Sequence, residues 1–272
     1  MKALVTTEWL KMRKYNAFWW IMGLTLLSYP GINYIFYIMY QELLNQPSDA
    51  AQLAKMAIGN PYAFPDVWHT VAFATSLFTF IPAVVVIMFI TNEYSFRTHR
   101  QNIIDGWSRS QFVTSKLVDV LIITLLLTGL YLATVLIAGA ASHTRLIRDT
   151  WGSAYFAALF FLQTFAQLSM AFMIGFLVRK AFIALGAFLF LFIILDNLLT
   201  GLSKYFKADW GKYMPLEITD KLIPVPAFIG RIDPAGHKKA MEEIPLFCVL
   251  TILLTLVIWL ICYRVNNRKD LK

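Results

Sequence analysis

The chain has 272 residues, enough for one large soluble domain or two small ones. Its composition excludes both: 58% of residues are hydrophobic, 15% aromatic and only 15% charged, against about 25% charged in an ordinary globular protein. The net charge of +8 invites a nucleic-acid partner, but its distribution along the chain excludes that as well.

Residues 1–14 form no span. Met1, Leu4, Val5, Trp9 and Met12 recur near helical spacing, with Lys2, Glu8, Lys11 and Lys14 largely elsewhere. This pattern predicts a helix lying in the cytoplasmic interface, with Trp9 at headgroup depth. Six uncharged or nearly uncharged runs follow, at 15–41, 67–92, 117–141, 150–178, 181–203 and 244–263. Each reaches the roughly 20 residues that cross about 30 Å of hydrocarbon. The first run starts late, is rich in Trp and Tyr, and has no small-residue cleavage site after it, so it reads as a span and not a signal peptide. Pro30-Gly31 and Pro82 predict bends in the first and second spans.

With the N-terminus in the cytoplasm and alternating spans, segments 1–14, 93–116, 179–180 and 264–272 are cytoplasmic. They and the adjoining Asp119 hold fourteen Lys/Arg against five acids, whereas the outer segments 42–66, 142–149 and 204–243 hold ten of each. A basic excess confined to one side is the positive-inside pattern. It reports orientation and contact with anionic membrane lipid, and no nucleic acid is implied. Both termini are then cytoplasmic and the protein belongs in the cytoplasmic membrane. The outer loop 42–66 is expected to hold a short helix capped by Asp49 and Gln52 and ended by Gly59 and Pro61. The outer loop 204–243 carries an aromatic belt of Tyr205, Phe206, Trp210 and Tyr213. Leu216, Ile218, Leu222 and Ile223 follow, as a short helix dipping into the outer leaflet. The whole chain, 1–272, is one all-α polytopic domain of six transmembrane helices.

Segment 93–116 reads EYSFRTHRQNIIDGWSRSQFVTSK. Thr98 with Gln101 and Ser108 with Gln111 match the S/T-x-x-E/Q capping box. Together they predict a short helix from Thr98 to about Asp105, a stop at Gly106, and a second helix entering the third span. The short helix projects His99, Arg100, Gln101, Ile103 and Ile104, flanked by Arg97 and Arg109. An apolar pair beside Arg in a cytoplasmic loop suits a protein interface.

Several of these residues together resemble a known family. Glu8-Trp9-Leu10-Lys11 leads into the first of six spans, and Glu93 follows the second. Arg97-Thr98, a short helix, Ser108-Arg109 and Lys116-Leu117 then enter the third span. The set resembles the permease subunit of ABC-2 type ABC transporters; Trp107 stands where that family usually has Pro. The resemblance implies a homodimer or heterodimer of six-span subunits that exports a substrate. It also implies a separate cytoplasmic ABC ATPase docked on the short coupling helix, through Glu93, Arg97, Thr98, His99, Arg100, Gln101, Ile103, Ile104 and Arg109. The chain has no G-x-x-x-x-G-K-[ST], so ATP and Mg are expected on the partner and this chain carries no cofactor. The rival reading is a non-transporting six-helix scaffold or sensor, or an intramembrane enzyme.

Polar residues within spans are the other candidates. Gln163 and Gln167 share a face of the fourth span and either bond a neighbouring helix or line a path. Asp196 near the outer end of the fifth span, and Asn33 after the Pro30-Gly31 bend, are further path candidates. Asp119 lies near enough to the cytoplasm to be interfacial, and His69 sits at the outer end of the second span. No metal-ligand spacing and no nucleophile–base pair is found, so no catalytic residue is proposed.

Overall fold

The computed structural model describes residues 2–45, 60–142, 150–206, 208–230 and 233–268, and among them there is helix and no strand. The helices are α1 (Lys2–Lys14), α2 (Asn16–Asn45), α3 (Val67–Ser76), α4 (Phe80–Ser95), α5 (Thr98–Ile104), α6 (Arg109–Ala141), α7 (Tyr155–Val178), α8 (Ala181–Leu189), α9 (Asp196–Tyr205), α10 (Pro215–Asp220), α11 (Ala227–Gly230) and α12 (Pro234–Arg268). A π-helical turn, Phe190–Leu195, joins α8 to α9 into one span. Among the described residues five helices are long and apolar enough to cross a membrane, and α3 and α4, bent by 50°, are a candidate sixth when taken together.

That bend is where the second span was expected to kink, displaced toward its start. Pro82 has no N–H for the carbonyl of Phe78, and the chain tightens there, with Ile81 N donating to Phe78 O at 3.1 Å. In α2, by contrast, Pro30 lies inside an uninterrupted helix. The expected helix in loop 42–66 falls mostly in 46–59, outside the described residues.

Helix α7 is the axis of the bundle and packs against α3, α4, α6, α8, α10 and α12. Of its most apolar stretch 61% is buried, against 17% for α2, so α2 offers most of its surface to its surroundings. The crossing of α4 and α7 is close because of Gly175: a Cβ there would lie 2.6 Å from Ile90 Cγ2 and 3.4 Å from Ile87 Cα. On the α12 side, Trp259 stacks on Phe172 at 4.9 Å and donates from Nε1 to Ser169 Oγ at 3.0 Å. On the α6 side, Tyr131 stacks on Phe160 at 4.7 Å and its hydroxyl donates to Trp68 O.

Contacts fix which helix ends lie together. Arg109 Nη1 donates to Asn267 O at 3.0 Å, and Asn266 Nδ2 donates to Arg109 O at 2.7 Å. These bonds tie the end of α12 to the start of α6, where α1 also packs. We call this the proximal end. Helices α10 and α11 lie at the distal end.

Candidate functional site

The proximal end holds five ionisable side chains in mutual contact. Lys116, 3% exposed, donates to Glu8 Oε2 at 2.6 Å, Glu93 Oε1 at 2.8 Å and Asp119 Oδ2 at 3.3 Å. An ammonium has three donors, and all three are used. Lys11 adds contacts to Glu8 Oε1 at 3.2 Å and Glu93 Oε1 at 2.9 Å. Three carboxylates thus share two ammonium groups, and Asp119 Oδ1 is buried without a partner. Glu8, Glu93 and Asp119 are all buried. Burial alone would raise the pKa of Glu8, but the charges of Lys116 and Lys11 outweigh it and hold the carboxyl below its usual range.

Local sequence explains how the groups meet. Leu4, Glu8 and Met12 are spaced four apart on α1, so Glu8 sits on a stripe with Met12, and both are buried. Val5 and Trp9, on the expected apolar face, are exposed, whereas Met12 of that face is turned into the bundle. Lys116 and Asp119 are three apart at the start of α6. Asp119 is thus a member of a buried ionic cluster, and not an interfacial residue.

Glu93 connects this cluster to the short helix α5. Thr98 Oγ1 donates to the Glu93 carboxylate, and His99 Nδ1 donates to the Glu93 carbonyl at 3.1 Å. The His99 ring also packs on Tyr94 at 4.7 Å. Burial pushes the His99 pKa below its usual range, which favours the neutral ring with Nδ1–H as donor. The first expected capping box does not form. Arg97, with φ 56°, stands before the helix as a left-handed residue. Thr98 is turned to Glu93, and Gln101 Nε2 bonds Asp105 Oδ1 instead. A buried carboxylate demands donors more strongly than an exposed helix end does. The second box, Ser108 with Gln111, forms in both directions, and Gly106 with φ 98° makes the stop between the helices.

No residue of α5 is buried. Arg97, Gln101 and Ile104 share its exposed side, Ile104 at 78%. Thr98, His99, Arg100 and Ile103 are half-buried toward the bundle. Glu93, at 5% exposure, lies behind this surface and not on it. Arg109 is held by the end of α12.

Three of the four path candidates meet a single element at the distal end. Gln163 Nε2 and Gln167 Nε2 donate to Asp220 Oδ1 at 2.9 and 2.8 Å, and Gln167 also donates to Thr219 Oγ1. Asp196 Oδ1 accepts from the N–H of Leu216 at 3.4 Å. All three therefore hold α10. Leu216, Ile218, Leu222 and Ile223 are buried, and α10 packs on α7, α9 and α12. The loop re-enters the protein, turning its apolar side to the bundle instead of to lipid. Tyr205, Phe206, Trp210 and Tyr213 are exposed, as an aromatic belt requires. Asn33 is remote from α10: its Nδ2 donates to Tyr29 O, its Oδ1 is buried without a partner, and it borders a cavity of about 540 Å3 with Tyr34, Tyr37 and Tyr62. His69 is buried, not interfacial, stacked on Phe156 at 4.0 Å with Nε2 on the carbonyl of Pro224.

These features define a multi-pass helical membrane protein with a buried ionic joint at one end and a re-entrant helix at the other. The chain belongs to the DUF2705 family, described as proteins of unknown function, whose model matches residues 32–272. Glu93, Lys116, Asp119 and Asp220 lie inside the matched region, whereas Glu8 and Lys11 precede it. Among curated proteins, none matches the chain.

Proposed function

We propose that this chain is the membrane-spanning permease subunit of an ATP-driven exporter of the ABC-2 type. In this reading the proximal end is cytoplasmic, the protein sits in the cytoplasmic membrane, and two six-span subunits pair. A separate ABC ATPase, which binds ATP and Mg, docks on α5. The observation that carries the reading is the mounting of α5. Its outer side, with Arg97, Gln101 and Ile104, is free of the bundle, while Thr98 and His99 fasten its base to Glu93. Glu93 is itself locked through Lys116 and Lys11 to α6 and α1. A push on α5 therefore reaches α1, α4 and α6 together, and α7 through the close crossing at Gly175. Such a joint lets nucleotide-driven closure of the ATPases bias two arrangements of the spans.

The test places a photocrosslinking residue at Gln101 in the full-length chain in its native membrane. The expected product is a crosslink to a protein carrying an ATP-binding G-x-x-x-x-G-K-[ST] motif. An Arg97→Glu, Ile104→Asp double variant, unchanged in thermal midpoint, should reduce co-purifying ATPase at least tenfold, because it sets two carboxylates into the contact. A wild-type yield of ATPase with the double variant would overturn the assignment of α5.

A further inference from the structure

At the distal end, α10, α11 and α12 enclose, with Phe73 of α3, a cleft of about 550 Å3. This is a volume suited to a small organic ligand. Of its four carboxylates two are paired with lysines, and Asp233 and Asp220 are not, among the described residues. Lys221 pairs with Glu217 at 3.6 Å, and Lys239 pairs with Glu243 at 4.0 Å. Asp233 Oδ1 accepts from the N–H of Gly236. Asp220 forms no ion pair among the described residues. It faces the cleft with one carboxylate oxygen held by Gln163 and Gln167 and the other directed to no protein donor among them.

We propose that this cleft binds an organic cation, a protonated nitrogen group carried on an apolar body, with Asp220 as its counter-ion. The lining of the cleft supports this. Four carboxylates, those of Glu217, Asp220, Asp233 and Glu243, line it against the single ammonium of Lys221 among the described residues, and that ammonium is taken by Glu217. Such a lining calls for a group that carries N–H donors and a positive charge. The walls suit the rest of the ligand: Phe73, Pro224, Val225 and Phe247 line the same cleft. Lys221 Nζ lies 5.3 Å above the Phe247 ring, so that ring already faces one cation across the cleft. The inference concerns the end of the bundle remote from α5 and stands independently of any ATPase.

The test uses the full chain in lipid nanodiscs, with benzamidine as probe and benzamide as a neutral control of nearly the same shape, read by saturation-transfer NMR titration. Benzamidine should bind at least tenfold more tightly than benzamide. Asp220→Asn should remove that preference, and Asp220→Glu should retain it within threefold. Equal affinity for the two probes in the wild type, or an undiminished preference in Asp220→Asn, would overturn the site. A measurement on the wild type guards against a variant that fails to fold. Carbodiimide with glycinamide at pH 6 should label Asp220, and benzamidine but not benzamide should suppress that labelling at least fivefold; unsuppressed labelling overturns the proposal. Arg231, between the lining residues Gly230 and Asp233 in sequence, tests the rival that the chain supplies its own guanidinium. Arg231→Gln should leave benzamidine affinity within twofold, and a tenfold gain would show the site already filled.

Discussion

Glu93 and Asp220 are two carboxylates set among protein atoms at opposite ends of the bundle, and the chain accommodates them by opposite means. Around Glu93 stand two ammonium groups and a hydroxyl, shared with Glu8 and Asp119. Around Asp220 stand two neutral amides, and it forms no ion pair among the described residues. Ion pairing at Glu93 makes a joint that holds three elements by charge and is costly to break. Neutral dipoles at Asp220 hold the carboxyl in place without neutralising it, which leaves it free to take a proton or a cation. The first arrangement suits transmission of force, and the second suits an exchangeable ligand.

The largest expected effect comes from removing the shared ammonium. Lys116→Met leaves three carboxylates beside Lys11 alone, and breaking a buried ionic group typically costs about 3–5 kcal/mol. The thermal midpoint in detergent should fall sharply, and trypsin should cut faster after Lys11, Arg13 and Lys14 as α1 detaches. Adding Glu93→Gln to Lys116→Met should recover part of the loss, since the orphaned charge is then gone. A loss under about 1 kcal/mol for the single variant would mean that the cluster is no joint, and would end the contrast with the distal end.

A smaller and more local effect is expected from Gln163→Leu with Gln167→Leu. Interhelical hydrogen bonds in membrane proteins average about 0.6 kcal/mol each, so the pair should cost about 1–2 kcal/mol. Backbone hydrogen exchange should rise roughly tenfold in 215–223 and stay unchanged in α1 and α5. A uniform rise through the bundle would show that the amides support the whole packing and not the re-entrant helix.

The smallest effect, and the one that sharpens the comparison most, is that of pH. Desolvation by the packed surroundings pushes the Asp220 carboxyl up from 3.8 to about 7; the side chain itself is exposed at the cleft, so that value is a ceiling. A carboxyl raised on folding is stabilising while protonated. Its contribution is complete below its unfolded value near 3.8 and is lost as pH rises through about 7. Glu8 is lowered, so its contribution is present above its unfolded value of 4.5 and is lost as pH falls through its depressed folded value. Alkali should therefore loosen α10 while acid loosens α1. Hydrogen exchange corrected for intrinsic rate should show 215–223 more protected at pH 5 than at pH 8, with Asp220→Asn removing the difference. An unchanged slope in that variant would assign the effect to another group.

Much of the architecture was readable because its causes are local. The runs at 117–141, 150–178 and 181–203 became α6, α7 and the α8–α9 span, each set by length and apolarity. Ser108 and Gln111 capped α6 because both partners lie within one turn of chain. Thr98 and Gln101 carried the same spacing and did not cap, because Glu93, buried by α1 and α6, claimed the Thr98 hydroxyl. Signals for the missed residues were present but weak. Glu8 lies in register with Leu4 and Met12 on α1, a lone acid on an apolar stripe, and Asp220 lies in register with the apolar Leu216 and Ile223. Gln163 and Gln167 were identified as needing a partner, yet the partner lies 57 and 53 residues further on, in a loop expected to meet lipid.

The sequence by itself determined that this chain is a bundle of membrane-crossing helices, where the spans fall, and that a short helix stands between the second and third. These follow from hydrophobic length, periodicity and glycine and proline positions, properties of neighbouring residues along the chain. Only the tertiary structure decided which charges meet. Lys116 joins Glu8 across 108 residues and Glu93 across 23, and α10 folds inward to Gln163 and Gln167. A carboxylate removed from water must find donors wherever the fold brings them, and the chain spacing of those donors carries no trace of the meeting.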